Sequence, residues 1–173
     1  MSQKNEEKLA DNILELRKAC RQFAMLYFHF CKVFVDDLGL EEAKPKIQKA
    51  IFSLAVDRST RLREVADEKG LPYTMDTFMQ ITDLPFSAWR PELGCNHCPY
   101  AETWFYYQEK YPWFKELAPL YCDVIDTSNA EVFTGDTSHH LYENVLTGGD
   151  YCNREYYPSD QVKKGELTYG FKE

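Results

Sequence analysis

The sequence predicts an α+β domain, with long N-terminal helices packed on an antiparallel sheet and a C-terminal β-hairpin. Two observations carry this. Apolar residues from Leu9 to Lys69 recur at helical spacing, and short strand-like runs gather late in the chain around a Gly-Gly turn. Helices first and strands last describe α+β rather than alternating β/α units. The 173 residues suit one domain with its own core. It divides into a helical half over 5–70 and a half over 86–173 that holds a cysteine-bearing helix and hairpin.

In the first helix, Leu9, Ile13, Leu16, Cys20, Phe23, Tyr27, Cys31, Phe34 and Leu38 step by three and four. That is a sustained helical stripe, about 45 Å long at 1.5 Å per residue. The run from Phe23 to Phe30 is apolar almost all round, which predicts burial on several sides. Gly39, within Asp37–Leu40, ends it. A second helix is expected from Pro45 to Lys69, with Ile47, Ile51, Leu54, Leu62 and Val65 on one face and Gly70 and Pro72 as its stop. Arg58 falls on that stripe. It is either an edge arginine whose stem packs while its head reaches water, or an inward guanidinium able to hold a substrate carboxylate.

A short helical or irregular piece, Thr74 to Asp83, precedes a strand expected over Phe86–Leu93, where Pro91 marks a sheet edge. A third helix follows over Pro99–Tyr111 and a fourth over Trp113–Cys122. Beyond it the chain is expected as sheet. His140–Leu146 and Tyr151–Tyr157 flank Thr-Gly-Gly-Asp, a hairpin signal, and a last strand is expected at Leu167–Phe171.

Composition narrows the partners. With 28 acidic against 20 basic residues the net charge is −8, against a phosphate-binding surface; no nucleic-acid partner is expected. Met1–Lys8 is polar and lacks a secretory apolar segment. The greasiest stretch, Phe23–Val35, contains His29 and Lys32 and is shorter than the ~20 residues that span a bilayer. A cytoplasmic protein with no membrane partner is expected. Six cysteines in such a chain are expected as free thiols, with Cys20 and Cys31 packed in the core.

The chemistry concentrates at Cys98-Pro99. Proline suits the first helical position, which puts Cys98 at the N-cap. The free N–H groups and the helix dipole there favour a thiolate and can lower a cysteine pKa from about 8.5 to ~3.5–7.5. Glu102, four residues on, is expected on the same face as a potential base. Cys122 and Asp126 repeat the spacing on the next helix, and Cys152 follows the Gly148-Gly149 turn. Cys95 and Cys98 have half-zinc-site spacing, but no second CxxC and no paired histidines complete it. A Cys95–Cys98 redox pair lacks a preceding βαβ pattern. Neither a metal nor a cofactor is expected. Of His139 and His140, adjacent on a strand, only one can face a shared pocket; His140 is the candidate. His29 and His97 are assigned no role.

Three segments carry a resemblance: Cys98-Pro99-Tyr100-Ala101-Glu102, then Leu120-Tyr121-Cys122 with Asp126, then Leu146-Thr147-Gly148-Gly149-Asp150-Tyr151-Cys152. In order and spacing these resemble the L-2-amino-thiazoline-4-carboxylic acid hydrolase family, over Cys98 to about Tyr157. Arg154, where the family tends to an aromatic, and Cys95 depart from its pattern. The resemblance implies hydrolytic opening of a small cyclic amidine, 2-aminothiazoline to N-carbamoyl-cysteine, on the way to cysteine. It implies a small-molecule substrate and a catalytic set of Cys98, Glu102, Asp126, Cys122 and Cys152, with Arg58 and His140 binding substrate. The alternative is a non-catalytic module that uses the cysteines to sense a small molecule or metal; a cysteine-bearing hairpin after helices also resembles 4-vinyl reductase-type binding domains.

Overall fold

The computed structural model describes residues 3–89 and 98–170. Among them run α1 (Gln3–Leu38), α2 (Leu40–Lys69), α3 (Met75–Ile81), α4 (Pro99–Lys110), α5 (Phe114–Thr134), β1 (Thr137–Glu143), β2 (Asn153–Pro158) and α6 (Asp160–Lys163). Two single 3₁₀ turns, Phe86–Ala88 and Val145–Thr147, stand between them. Long helices come first and an antiparallel pair of strands comes last, so the fold is α+β.

Gly39 alone separates α1 from α2, at a φ of 78° that an L side chain would strain. The second helix starts at Leu40 rather than at Pro45, which lies inside it. The proline costs one backbone bond there, while Glu41 and Glu42 in the first turn suit the positive end of the dipole. At the other end the N–H groups of Gly70 and Leu71 return to the carbonyls of Asp67 and Ala66, at 3.1 and 2.9 Å. This is the glycine stop read from the sequence.

The largest departure is α5, which continues to Thr134 instead of ending near Cys122. Its second half, Val124 to Thr134, is rich in β-branched and small polar residues of weak helix propensity. Tertiary burial overrides that weakness, because α5 packs against α2 on one side and β1 on another. Every residue from Thr127 to Glu131 is buried. Thr127, Asn129 and Glu131 find polar partners on neighbouring elements, while the buried Ser128 Oγ has none among the described residues. Glu131, only 1 % exposed, accepts from Ser138 Oγ at 2.6 Å and from the N–H and Oγ of Thr168 at 2.8 and 2.6 Å. Thr168 lies in a turn, so the strand expected at Leu167–Phe171 is absent over Leu167–Gly170. The short helix α6 precedes that turn.

Around the start of α5 lies an aromatic core from α1, α4 and α5. Phe28, Trp104 and Phe114 are fully buried, with Phe28 stacked on Tyr107 at 3.7 Å between centroids. The polar ends are satisfied as burial requires: Trp104 Nε1 donates to Ala24 O at 3.0 Å and Tyr27 Oη to Leu117 O at 2.8 Å. Cys20 and Cys31 are buried free thiols, and burial pushes Cys31 up to about 12. Burial of α1 is one-sided, however. Ala24, Phe28 and Cys31 face inward while Met25, Leu26, Phe30 and Val33 are exposed, contrary to the burial on several sides expected of Phe23–Phe30.

The strands pair antiparallel from Thr137↔Pro158 to Glu143↔Asn153, with an irregularity between Leu141 and Glu143. The sheet leans on α5, whereas α1 packs against α4, α2 and the Phe86–Ala88 turn. The first strand starts and ends three residues earlier than the expected His140–Leu146, the second starts and ends later than the expected Tyr151–Tyr157, and Asn144 to Cys152 forms a longer connection through the Val145–Thr147 turn. Gly149 has a structural reason there: a Cβ would come within 2.4 Å of Glu143 Cγ. Phe86–Ala88 is a 3₁₀ turn rather than strand. The rest of that expected strand past Trp89, together with Cys95 and His97, lies outside the described residues. Among those described, no helix is long and apolar enough to cross a membrane.

Candidate functional site

One face of α5 presents Cys122, Ile125, Asp126 and Asn129, at the i, i+3, i+4, i+7 spacing of a helical stripe. They wall a cavity of about 500 Å³. Helix α2 contributes Arg58, the start of α4 contributes Cys98 and Tyr100, and the β1–β2 connection contributes Tyr151 and Cys152. Tyr121 of α5, Arg154 on β2 and the side chains of Leu84, Phe86 and Trp89 complete the wall.

Five of the seven residues singled out in the sequence therefore meet at this cavity: Arg58, Cys98, Cys122, Asp126 and Cys152. Glu102 does not. Its carboxylate is held by Arg17, which is 4 % exposed, and by Arg21 at 3.1 Å, on the α1 side of α4. The i, i+4 argument fails for a local reason. Cys98 is the N-cap, with extended dihedrals of φ −82° and ψ 110°, so its side chain does not follow the helical face. Its sulfur folds back to accept the N–H of Ala101 at 3.4 Å. His140 is also elsewhere, exposed on β1 with its ring edge-on to Tyr142. Strand alternation turns His139 inward instead, with Nδ1 3.1 Å from Thr127 Oγ1 and its buried Nε2 lacking a hydrogen-bond partner among the described residues. Burial, helped by the nearby Arg154 guanidinium, lowers His139 to about 4.

The electrostatics of the thiols reverse one expectation. Burial pushes Cys98 up, and the N–H groups of Ala101 and Tyr100 offset this only in part. Cys122 is raised further, first by burial and then by Cys98, Asp126 and Cys152, which puts the three thiols within electrostatic reach of one another. The helix N-terminus is present at Cys98, but desolvation outweighs it. Cys152 Sγ lies 3.8 Å from Asn144 Oδ1. Among the described residues, no group of three or more Cys, His, Asp and Glu side chains is arranged to hold a metal ion.

Two guanidiniums sit among these groups. Arg154 Nη1 is 2.7 Å from Asp126 Oδ2. Burial still holds the Asp126 carboxyl above the usual range, against the pull of Arg154 and Arg58. Arg58 Nε is 3.0 Å from Asp83 Oδ1, without the alignment of a hydrogen bond. Its guanidinium lines the cavity and acts electrostatically on Tyr100, Tyr121 and Asp126.

Arg154, Asn129, Ile125 and the aromatic wall were not among the sequence candidates. Extending the Cys122–Asp126 spacing one more turn would have found Asn129. Arg154 carried no periodic signal.

The cavity has the size of a small-molecule site and is lined by three thiols, one half-buried acid and two cations. No protein-family model, no curated protein and no solved structure matches the chain.

Proposed function

We propose that the protein is a hydrolase of a small carboxylate-bearing cyclic amidine, with opening of 2-aminothiazoline-4-carboxylate to N-carbamoyl-cysteine as its type reaction. The observation that supports this most is the shared cavity: Arg58, Cys98, the Cys122–Asp126 pair and Cys152 come from four separate segments and line one volume. In this reading Arg58 holds the substrate carboxylate and Asp126 faces the amidine N–H groups. Cys98 Sγ forms a bond to the amidine carbon while the ring C–S bond breaks, and the thiol proton leaves with the ring sulfur. Water then adds to the resulting isothiourea carbon with Asp126 taking its proton, and the Cys98 sulfur departs and is reprotonated. The sum is substrate plus water to N-carbamoyl-cysteine.

The reading is tested by mass-spectrometric detection of the carbamoyl product and of the thiol released. Turnover that is lost in both Cys98→Ala and Asp126→Asn, each with an unchanged circular dichroism spectrum, supports it. Full turnover in Cys98→Ala removes the nucleophile assignment.

A binding module for the same ligand class is the second reading. It is favoured by the protonated state that burial imposes on Cys98 and Cys122, which is the less nucleophilic form. Stoichiometric binding without product singles it out.

A further inference from the structure

A single five-membered ring with a carboxylate leaves most of this cavity empty. At about 500 Å³, the volume falls in the ~300–1,000 Å³ range that encloses drug-sized ligands. One part of its apolar wall also comes from a segment that carries none of the thiols or Asp126. The thiols and Asp126 come from α4, α5 and the strand connection, while Leu84, Phe86 and Trp89 come from the segment before residue 90.

The apolar side continues past the Asp126–Arg154 pair into an annex of about 40 Å³, lined by Met75, Phe78, Met79 and Tyr156. Leu84 and Phe86 belong to both spaces. Two large apolar side chains on this side, Phe86 and Met79, are 44 % and 46 % exposed. A pair of methionines makes a wall that adapts to the shape laid against it. Exposed apolar area gathered at a cavity wall is what a ligand's own apolar part would cover.

We infer that the ligand carries an aromatic or similarly bulky apolar group beside its carboxylate and amidine, seated against Leu84, Phe86, Trp89 and the methionine annex. This inference rests on the small-molecule hydrolase reading above and enlarges its substrate class. The unsubstituted aminothiazoline is then a core fragment of the ligand. Its carboxylate goes to Arg58, its amidine to Asp126, and the substituent points away from the thiols.

Isothermal titration calorimetry on the full chain separates the two claims, with 2-aminothiazoline-4-carboxylate and its 5-benzyl derivative as probes and product analysis run on the same samples. The benzyl compound is expected to bind at least about tenfold more tightly. Phe86→Ala and Met79→Ala, at exposed positions that should leave folding intact, are expected to shrink that ratio severalfold without weakening the unsubstituted ring. A wild-type ratio near one overturns the inference, whether or not the small ring is opened. So does a ratio that both variants leave unchanged. A tenfold ratio with no product from either probe keeps the inference and removes the hydrolase.

Discussion

At the start of α5, Tyr27, Phe28, Trp104 and Phe114 are packed ring against ring. Further along the same helix, Tyr121 still packs edge-on against Tyr27 and Trp104 but also borders the cavity, where Phe86, Trp89 and Tyr151 stand around open volume. The two regions use the same residue types. They differ in what the rings meet: in the first, Phe28, Trp104 and Phe114 are fully buried among other rings and the polar ends of Tyr27 and Trp104 find carbonyls; in the second, the wall faces the cavity. Aromatic content alone therefore does not distinguish a core from a ligand wall. The surrounding elements do, because α1 and α4 close over the first region whereas α2, the Phe86–Ala88 turn and the strand connection stand apart around the second.

The sharpest test of that difference is a pair of truncations. Trp104→Ala removes a fully buried ring and a buried hydrogen bond, and is expected to cost about 3–5 kcal/mol in urea denaturation. Phe86→Ala, on the cavity wall and partly exposed, is expected to stay within about 0.5 kcal/mol. Comparable losses for the two would mean that the cavity wall is ordinary core.

A second contrast is between the buried histidine and the exposed one beside it. His139 is lowered from 6.5 to about 4 in the folded protein, so the unfolded chain binds the proton more readily. The neutral form's contribution is complete above pH 6.5 and is lost as pH falls through that window towards 4. The difference amounts to about 3 kcal/mol. Stability curves from pH 7 to 4 should be shallower for His139→Gln than for wild type, with a substitution of the exposed His140 as the surface control. Parallel curves for wild type and His139→Gln would remove His139 as the source of the slope.

The polar bonds along α5 give a third comparison. Glu131 ties β1 and the C-terminal turn to the helix through three donors. Glu131→Gln keeps the shape but sets an NH₂ group among them, and a loss of about 1.5–3 kcal/mol is expected. Asn129, one of the cavity residues, accepts a longer contact from Ser59 at 3.4 Å. Asn129→Ala is expected to cost less than Glu131→Gln when both are followed by thermal denaturation.

What could be read from the sequence divides along the same line between local and non-local causes. The N-cap at Cys98, the stop at Gly70 and the shared face of Cys122 and Asp126 depend on neighbours in sequence, and each was legible. The second half of α5 was not, because Val124 to Thr134 is a poor helix former held helical by α2 and β1. That error concealed Ile125 and Asn129, which complete the cavity face. The choice between His139 and His140 depends on which face of the strand α5 covers, and a shift of one residue reverses it. Glu102 was placed by a helical rule that does not extend to the non-helical N-cap, and its guanidinium partners come from α1, eighty-odd residues earlier in the chain. The convergence of three thiols was visible only as recurring cysteine near carboxylate, without the geometry that joins them.

The smallest expected effect, and the one closest to the chemistry, concerns the thiols themselves. Cys31 lies in the packed core and Cys98 at the cavity, so reagent should reach Cys98 first although both are raised by burial. At Cys98 two influences oppose each other: N–H groups at the helix start favour the thiolate, and desolvation disfavours it. Desolvation prevails, so the thiolate fraction is still rising where an ordinary cysteine, at about 8.5, is already half ionised. Iodoacetamide labelling followed by peptide mapping should therefore show Cys98 ahead of Cys31, at a rate that keeps climbing above pH 9. A plateau below pH 8 would mean that the helix terminus dominates after all, and would restore the activated nucleophile expected from Cys98-Pro99 alone. Equal, slow labelling of Cys98 and Cys31 would mean that the cavity does not admit reagent, and the contrast between its wall and the aromatic core would fail at the residue where it matters most.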